Sequence, residues 1–252
     1  MKNYQGIMTI ISKRELVKDV YEMVLEGEGA SFIQAAGQFI NIKINDALQP
    51  YLRRPMSICD YDKNHIKIIF KVVGEGTKIL SQKQINDQLD CLIGLGNGFI
   101  DLDCQKAVVI GGGLGVPPMY KLAKDLIQKG IEVTAVLGFN SQKDVFYKEE
   151  FEEICSTYIA TMDGTMGTKG TVIDVLKEKQ MEFDKYYTCG PEKMLDALVL
   201  SYPDNGYLSF EARMGCGFGA CMGCSCQVKT KPYKRICVEG PVLHSSEVIV
   251  NG

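Results

Sequence analysis

Four cysteines near the carboxyl end of the chain are spaced like the ligands of a two-iron cluster. Cys216, Cys221 and Cys224 form a C-x4-C-x2-C run, and Cys237 follows after a gap of twelve residues. This is the plant-type [2Fe–2S] order, with three thiolates on one glycine-rich loop and a fourth further along the chain. Glycines between the cysteines allow positive φ angles and inward-facing N–H groups. We therefore predict that these four thiolates bind a [2Fe–2S] cluster.

A structural zinc site is the alternative for the same thiols. Zinc sites built from four cysteines generally use two C-x2-C pairs, and this stretch contains only one. Cys226 is a spare thiol two residues beyond Cys224. If it replaced Cys224 as a ligand, the x2 spacing would become x4, so we interpret Cys226 as a non-ligand. The spacing favours an electron-transfer cluster over zinc.

Length and composition limit the classes of protein to consider. A chain of 252 residues has room for two modest domains and a small appendage. Its net charge of −3 gives no reason to expect a nucleic-acid partner. Ten cysteines, most of them scattered, fit a reducing cytosol. We find neither an apolar signal core nor an apolar run of membrane-spanning length. These features predict a cytoplasmic protein without membrane or nucleic-acid contacts.

Residues 1–100 are predicted to form a small antiparallel β-barrel. Short stretches with alternating apolar residues are separated by glycine and acidic turns, and almost no helix is expected between them. The predicted strands are Gly6–Ser12, Val20–Leu25, Gln38–Ile44, Pro55–Cys59, Ile66–Val73 and Gln88–Gly94.

Two features of this barrel can bind an anion. Arg54 and Ser57 are three residues apart on one strand, so a guanidinium and a hydroxyl can face one ligand. Gly76 and Thr77 open a short helix whose free N–H groups can receive a phosphate. Taken singly, the Arg54–Ser57 pair is better explained as a solvated edge strand, and Gly76–Thr77 can be an ordinary helix cap. Together they favour a dinucleotide flavin bound by the barrel.

Residues 101–208 alternate between strands and helices, which predicts a parallel sheet with helices on both faces. A glycine-rich turn at Gly112, Gly113 and Gly115 follows the first strand and can approach a pyrophosphate. Cys189 and Gly190 end the fourth strand at the same edge and could touch a nicotinamide or flavin ring. The alternatives are a tight strand-to-helix turn and a buried thiol. We predict a helix over Asp144–Ile154 among the connections.

These motifs occur in an order that resembles the ferredoxin–NADP reductase superfamily. With the cysteine segment, predicted as a third domain at 209–252, the chain resembles the electron-transfer subunits of NAD-dependent dihydroorotate dehydrogenase (PyrK type). The resemblance rests on Leu52–Ile58, Gly94–Phe99, the Gly111–Pro117 turn and Glu211–Cys221. It implies FAD, a [2Fe–2S] cluster and NAD(H). The residues implied for FAD are Arg54, Pro55, Met56, Ser57, Ile69, Phe70, Lys71, Gly76 and Thr77.

The resemblance also implies how the chain works. Its partner would be an FMN-containing catalytic subunit that oxidises dihydroorotate in pyrimidine biosynthesis, and the two would form a heterotetramer with two copies of each subunit. The cofactors would carry the electrons to NAD+, so no side chain is expected to act as a catalytic acid, base or nucleophile. The alternatives are a related flavin and iron–sulfur reductase serving a hydrogenase or ferredoxin-linked complex, a non-catalytic redox sensor and a nucleotide-binding scaffold with structural cysteines.

Overall fold

Six antiparallel strands close into a barrel in the first part of the chain, as the sequence predicts. The computed structural model describes residues 3–45, 47 and 49–250, so the outermost ends of the first and third predicted domains lie outside the described residues. Around the barrel the strands follow the order β1-β2-β5-β4-β3-β6. The strands are β1 (Tyr4–Val17), β2 (Val20–Glu26), β3 (Phe39–Ile42), β4 (Arg54–Tyr61), β5 (His65–Lys71) and β6 (Gln88–Leu95).

The barrel interior is filled by aliphatic residues from alternate strand positions. Ile40 and Ile42 of β3 and Ile66 and Ile68 of β5 are fully buried there, because successive side chains of a strand point to opposite faces. Helix α1 (Glu75–Gln82) connects β5 to β6 and packs Leu80 into the same core. The outward-facing side chains of β3, β4 and β5 can therefore line a site outside the barrel.

A seven-stranded sheet with helices on both faces forms the second part of the chain. Its order is β10-β9-β8-β7-β11-β12-β15, and all of its pairs are parallel except β12 with β15. The strands are β7 (Lys106–Gly112), β8 (Glu132–Phe139), β9 (Ser156–Thr161), β10 (Thr168–Lys169), β11 (Lys185–Cys189), β12 (Gly206–Ser209) and β15 (Val242–His244). The helices are α2 (Val116–Gln128), α3 (Lys148–Glu152), α4 (Val172–Glu178) and α5 (Glu192–Ser201). The predicted α/β domain is confirmed.

The predicted helix over Asp144–Ile154 is wrong in its first half. A short 3-10 turn covers Gln142–Asp144, and α3 begins only at Lys148. Between them Tyr147 takes a left-handed backbone conformation with φ +65°, which a helix cannot continue through. Sequence periodicity gives no sign of this break, since it depends on where the Tyr147 side chain goes.

The Tyr147 side chain joins the nucleotide domain to the barrel. Tyr147 is 2% exposed, and its hydroxyl donates to the Glu22 carboxylate on β2. Glu22 also accepts from Arg14 at 2.8 and 3.2 Å, and Lys67 Nζ lies 3.7 Å from it. Burial opposes ionisation of Glu22, but the hydrogen bonds from Arg14 and Tyr147 outweigh it and lower its pKa. The carboxylate is therefore charged and fully paired at neutral pH.

We expect Glu22→Gln to lower the free energy of unfolding by about 2 kcal/mol at pH 7, because charged hydrogen bonds from Arg14 and Tyr147 become neutral or unpaired. The folded pKa of Glu22 lies below its ordinary value of 4.5, so this stabilisation is present above pH 4.5 and is lost as the pH falls through the folded value. Urea unfolding of both proteins at pH 7 and at acid pH measures it. A stability difference that does not narrow in acid would contradict this account.

The chain after β12 wraps back over both domains. Two short strands, β13 (Ser225–Cys226) and β14 (Lys234–Arg235), pair with each other and lead into α6 (Ile236–Glu239). The segment that follows is tied to the β6–β7 connection, where the Asn97 Nδ2 donates to the Val242 carbonyl at 2.9 Å and its Oδ1 accepts from the Val242 N–H at 3.1 Å. Strand β15 then extends the nucleotide sheet. The structure does not test the exact domain limits 1–100, 101–208 and 209–252, which stay predictions.

No helix in the described part of the chain is both long and apolar enough to cross a lipid bilayer.

Candidate cofactor sites

The four predicted cluster ligands lie in two pairs on the segment between β12 and β15. The Cys216 Sγ accepts from the Ala220 and Cys221 N–H groups at 3.3 and 3.4 Å, and the Cys221 Sγ accepts from the Cys216 N–H at 3.4 Å. The Cys224 Sγ accepts from the Cys237 N–H, also at 3.4 Å. The loop thus brings Cys216 to Cys221, and α6 brings Cys237 to Cys224.

This donor set fits a two-iron cluster. Such a cluster takes four thiolates shared between two iron atoms, so two pairs of cysteines meet its requirement. Among the residues that the structure describes, no three histidine, cysteine or acidic side chains converge closely enough for one metal ion.

The surroundings of the thiols favour ionisation on the loop side. Burial works against the Cys216 thiolate, but N–H groups of Cys221, Phe218 and Ala220 point at it and lower its pKa to about 6. Burial raises the pKa of Cys237 to about 12, and its contact with Cys224 acts in the same direction. Backbone donors aimed at sulfur are also what stabilises a thiolate bound to iron.

A cavity of about 290 Å³ lies between the barrel and the nucleotide domain. The Arg54 guanidinium borders it and lies flat against Gly76 at the start of α1, where a Cβ would come within 2.3 Å of Arg54 Nε. A guanidinium beside free helix N–H groups suits a pyrophosphate. The cavity therefore fits a dinucleotide flavin. The predicted residues that line it are Arg54, Pro55, Met56, Ser57, Ile69, Phe70, Lys71 and Thr77.

Two of these residues also have structural roles. The Phe70 ring packs inside the barrel, stacked on Tyr21 with a centroid separation of 5.9 Å. The Thr77 hydroxyl accepts from the Val73 and Gly74 N–H groups at 2.9 and 3.2 Å and so caps α1. Thr77 therefore orders the helix start next to Arg54.

Sequence reasoning missed the far wall of this cavity. Phe39 of β3 and Phe210, Glu211 and Met214 beyond β12 line it, although they are distant in the chain. The two phenylalanines supply the aromatic surface that the first flavin motif, with Met56, lacks. Desolvation at the cavity edge raises the pKa of Glu211. The sequence signal for Phe210, Glu211 and Met214 was their position directly after the last parallel strand, and Phe39 had no such signal.

A second cavity, of about 250 Å³, opens at the carboxyl edge of the parallel sheet. Gly112 and Gly113 line it, and Gly113 has φ +53°. Gly115 instead allows close packing, since a Cβ there would lie 2.0 Å from the Cys189 carbonyl oxygen. Lys71 and Leu114 border both this cavity and the flavin cavity, so the two are neighbours. This arrangement fits a nicotinamide dinucleotide that reaches toward the barrel.

Cys189 and Gly190 lie just behind this edge. Cys189 is buried, and burial raises the pKa of its thiol to about 12. Its side chain does not border either of the two cavities, whereas Gly190 lines a third cavity, of about 390 Å³, with Gly115 and Glu211. The thiol packs against the base of the site, and the predicted ring contact from Cys189 stays a prediction.

Comparison with known proteins decides the family. The iron-sulfur cluster binding domain of dihydroorotate dehydrogenase B matches residues 211–249, and an oxidoreductase NAD-binding domain matches residues 109–199. The dihydroorotate dehydrogenase B (NAD(+)) electron transfer subunit of Bacillus pumilus is 46% identical over 98% of this chain and 99% of its own. This chain belongs to that family. The subunit from a Geobacillus strain is 45% identical over the same shares of both chains.

The resemblance inferred from the motifs is thus confirmed. Among solved structures, the NADH-dependent reduced ferredoxin–NADP oxidoreductase of flavin-based electron bifurcation aligns with a TM-score of 0.87 and 26% identity, covering 97% of this chain and 90% of that one. A ferredoxin reductase from carbazole 1,9a-dioxygenase shares the fold, with a TM-score of 0.66 and 18% identity over 80% of this chain and 65% of that one.

Proposed function

We propose that this chain is the electron-transfer subunit of an NAD-dependent dihydroorotate dehydrogenase in pyrimidine biosynthesis. It would carry electrons from a partner catalytic subunit to NAD+. A bound [2Fe–2S] cluster would pass single electrons, and bound FAD would collect two of them and, with a proton, supply one hydride to NAD+. The main support is one continuous arrangement. The paired cysteines, the Arg54 cavity and the glycine-edged cavity adjoin one another in a chain that belongs to this family.

The chain's own residues would bind and orient these groups. Cys216 and Cys221 would hold one iron, and Cys224 and Cys237 the other. Arg54 would pair with the FAD pyrophosphate, and the Ser57 hydroxyl would hydrogen-bond to the ring system. The flavin would be held by Arg54, Pro55, Met56, Ser57, Ile69, Phe70, Lys71, Gly76 and Thr77, and NAD(H) by Gly112, Gly113, Gly115, Cys189 and Gly190.

We further propose that the partner subunit contains FMN, that two copies of each subunit assemble and that the complex works in the cytoplasm. The family name supports a partner subunit, since these relatives are named as subunits of a dehydrogenase. Ten free cysteines fit a reducing compartment. Co-purification with an FMN protein that oxidises dihydroorotate, followed by mass measurement of the complex, tests the first two points.

The cluster loop is the proposed contact with that partner. Phe218 is 52% exposed and Met222 42% exposed on the same loop as the thiols. Electrons pass only over short distances, so the partner must dock close to this loop. We expect Phe218→Asp to weaken assembly about tenfold or more, which is the usual effect of losing an aromatic anchor. Titration of the partner subunit measures it.

A matched control is Leu200→Asp on α5, a residue that is 71% exposed and lies on another element. It should leave the affinity for the partner unchanged. If Phe218→Asp assembles as tightly as the Leu200 variant, the cluster loop is not the contact.

A visible absorption spectrum of the anaerobically purified chain, before and after NADH, tests the proposed function as a whole. We expect flavin bands and a broad iron–sulfur shoulder that NADH bleaches together. Flavin without iron would point to zinc or an empty cysteine site, and a colourless protein would overturn the enzyme assignment.

The second candidate is a flavin and iron–sulfur reductase that serves a hydrogenase or ferredoxin-linked complex. The close fold match to a reduced ferredoxin–NADP oxidoreductase supports this second candidate. It predicts the same bleaching by NADH. It differs in predicting that the co-purifying partner does not oxidise dihydroorotate.

A further inference from the structure

Asn41 lies where the flavin barrel meets the cluster loop. Ile40 and Ile42 on either side of it point into the barrel core, so the alternation of β3 directs Phe39 and Asn41 outward. Phe39 lines the flavin cavity. Asn41 is fully buried instead, beneath the loop that carries Cys216. One short strand thus touches both candidate cofactor sites.

The side-chain amide of Asn41 supports the loop directly. Its Nδ2 donates to the Cys216 carbonyl oxygen at 3.4 Å. The next residue, Gly217, has φ +82° and lies so close that a Cβ would be 2.5 Å from the same Nδ2. Any larger residue at 217 would therefore push the loop off the barrel. The contact involves the first ligand position and its neighbour.

The strand that carries Asn41 is held firmly. The Asn41 carbonyl accepts from Arg53 Nη1 at 3.4 Å. The same guanidinium donates to the Asp90 carbonyl and carboxylate, each at 2.7 Å, which ties β3 and β6 to the start of β4. A loop that contacts Asn41 is therefore held against a rigid part of the barrel wall.

The amide is kept at a cost to folding. Among the described residues, Asn41 Oδ1 is one of two buried side-chain polar atoms without a hydrogen-bond partner. Such an atom costs about 1–3 kcal/mol. The buried amide of Gln38 on the same barrel is satisfied at both ends, by the Gln34 N–H at 2.7 Å and the Gly96 carbonyl at 2.8 Å. A leucine would fit position 41 without that cost, so the amide is retained for the hydrogen bond that its Nδ2 donates to the loop.

We propose that Asn41 is a positioning residue that fixes the cysteine loop, and with it the first two ligands, at a set separation from the flavin cavity. The proposal rests on the proposed function, in which these cysteines bind the cluster. Through Phe39 and Asn41, β3 sets the relative position of the two redox sites. Removal of the amide should loosen the loop while the flavin cavity stays intact.

The test compares Asn41→Leu with wild type in the full chain. We expect normal FAD content and loss of iron to a chelator about tenfold faster, as for other residues that support metal ligands. In metal-free protein, alkylation of Cys216 and Cys221 should be faster than in wild type, while alkylation of half-buried Cys104 is unchanged. Gln38→Leu, which removes a buried amide whose hydrogen bonds go to Gln34 and Gly96 and not to the Cys216 loop, should change neither quantity.

The outcomes separate this inference from the proposed function. Wild-type rates of iron loss and alkylation in Asn41→Leu would overturn the role of Asn41 and leave the cluster assignment standing. A wild-type protein that binds no iron would contradict the proposed function, and the alkylation rates would then decide on Asn41 alone. If the leucine variant does not fold, Asn41→Ala, which removes the whole amide, should show the same losses.

Discussion

Replacement of Cys224 by serine is expected to lower NAD+-linked dihydroorotate oxidation by about 100-fold or more in the assembled complex. Mutation of a group that only supports a metal ligand lowers metal affinity or activity about 10–100-fold. Loss of the ligand itself should lower activity by at least the upper end of that range. Cys224 is 4% exposed and its Sγ accepts from the Cys237 N–H, and the ligand spacing makes neighbouring Cys226 a non-ligand, so we expect no other thiol to replace it. Iron and sulfide analysis together with turnover measures the effect.

The same variant should still reduce an artificial acceptor with NADH. That reaction needs only the two neighbouring cavities, which share Lys71 and Leu114 and do not include Cys224. Cys226→Ser is the matched control, because Cys226 is a half-buried thiol two residues away and is not a predicted ligand. Loss of iron in the Cys226 variant, with iron retained in the Cys224 variant, would reverse the assignment of the third ligand.

Replacement of Arg54 by glutamine is expected to weaken FAD binding on the order of 100-fold. A hydrogen bond to a charged group contributes roughly 1.5–3 kcal/mol, and a guanidinium can make two to a pyrophosphate. The Arg54 side chain lies over Gly76 at the start of α1, and no carboxylate in the described chain forms a salt bridge with it. FAD retention after gel filtration and titration of the flavin-free protein measure this affinity.

The adjacent arginine provides the control. The Arg53 side chain forms a 2.7 Å salt bridge with Asp90 and is absent from the cavity lining. Arg53→Gln should therefore lower the free energy of unfolding while the refolded protein binds FAD with near wild-type affinity. Equal loss of FAD affinity in both variants would mean that Arg54 acts through barrel stability and not through the pyrophosphate.

The sequence by itself determined the parts of this protein that depend on local spacing. Alternating apolar residues specify the barrel strands, and a strand–helix alternation specifies the parallel sheet, because both patterns repeat over neighbouring residues. The cysteine spacing and the glycines at 112 and 113 are local as well. For this reason the fold class and the family follow from the residues alone.

Tertiary structure alone decided the features that join distant segments. Nothing near Tyr147 in the chain indicates that its hydroxyl reaches Glu22 or that the predicted helix breaks at this residue. Phe39 and Phe210 meet across the flavin cavity although 171 positions separate them in the numbering. In the sequence, Asn41 is one polar residue of an alternating strand. Only the fold shows that its amide contacts Cys216. Local patterns carry no information about such pairs, because long-range packing determines which faces meet.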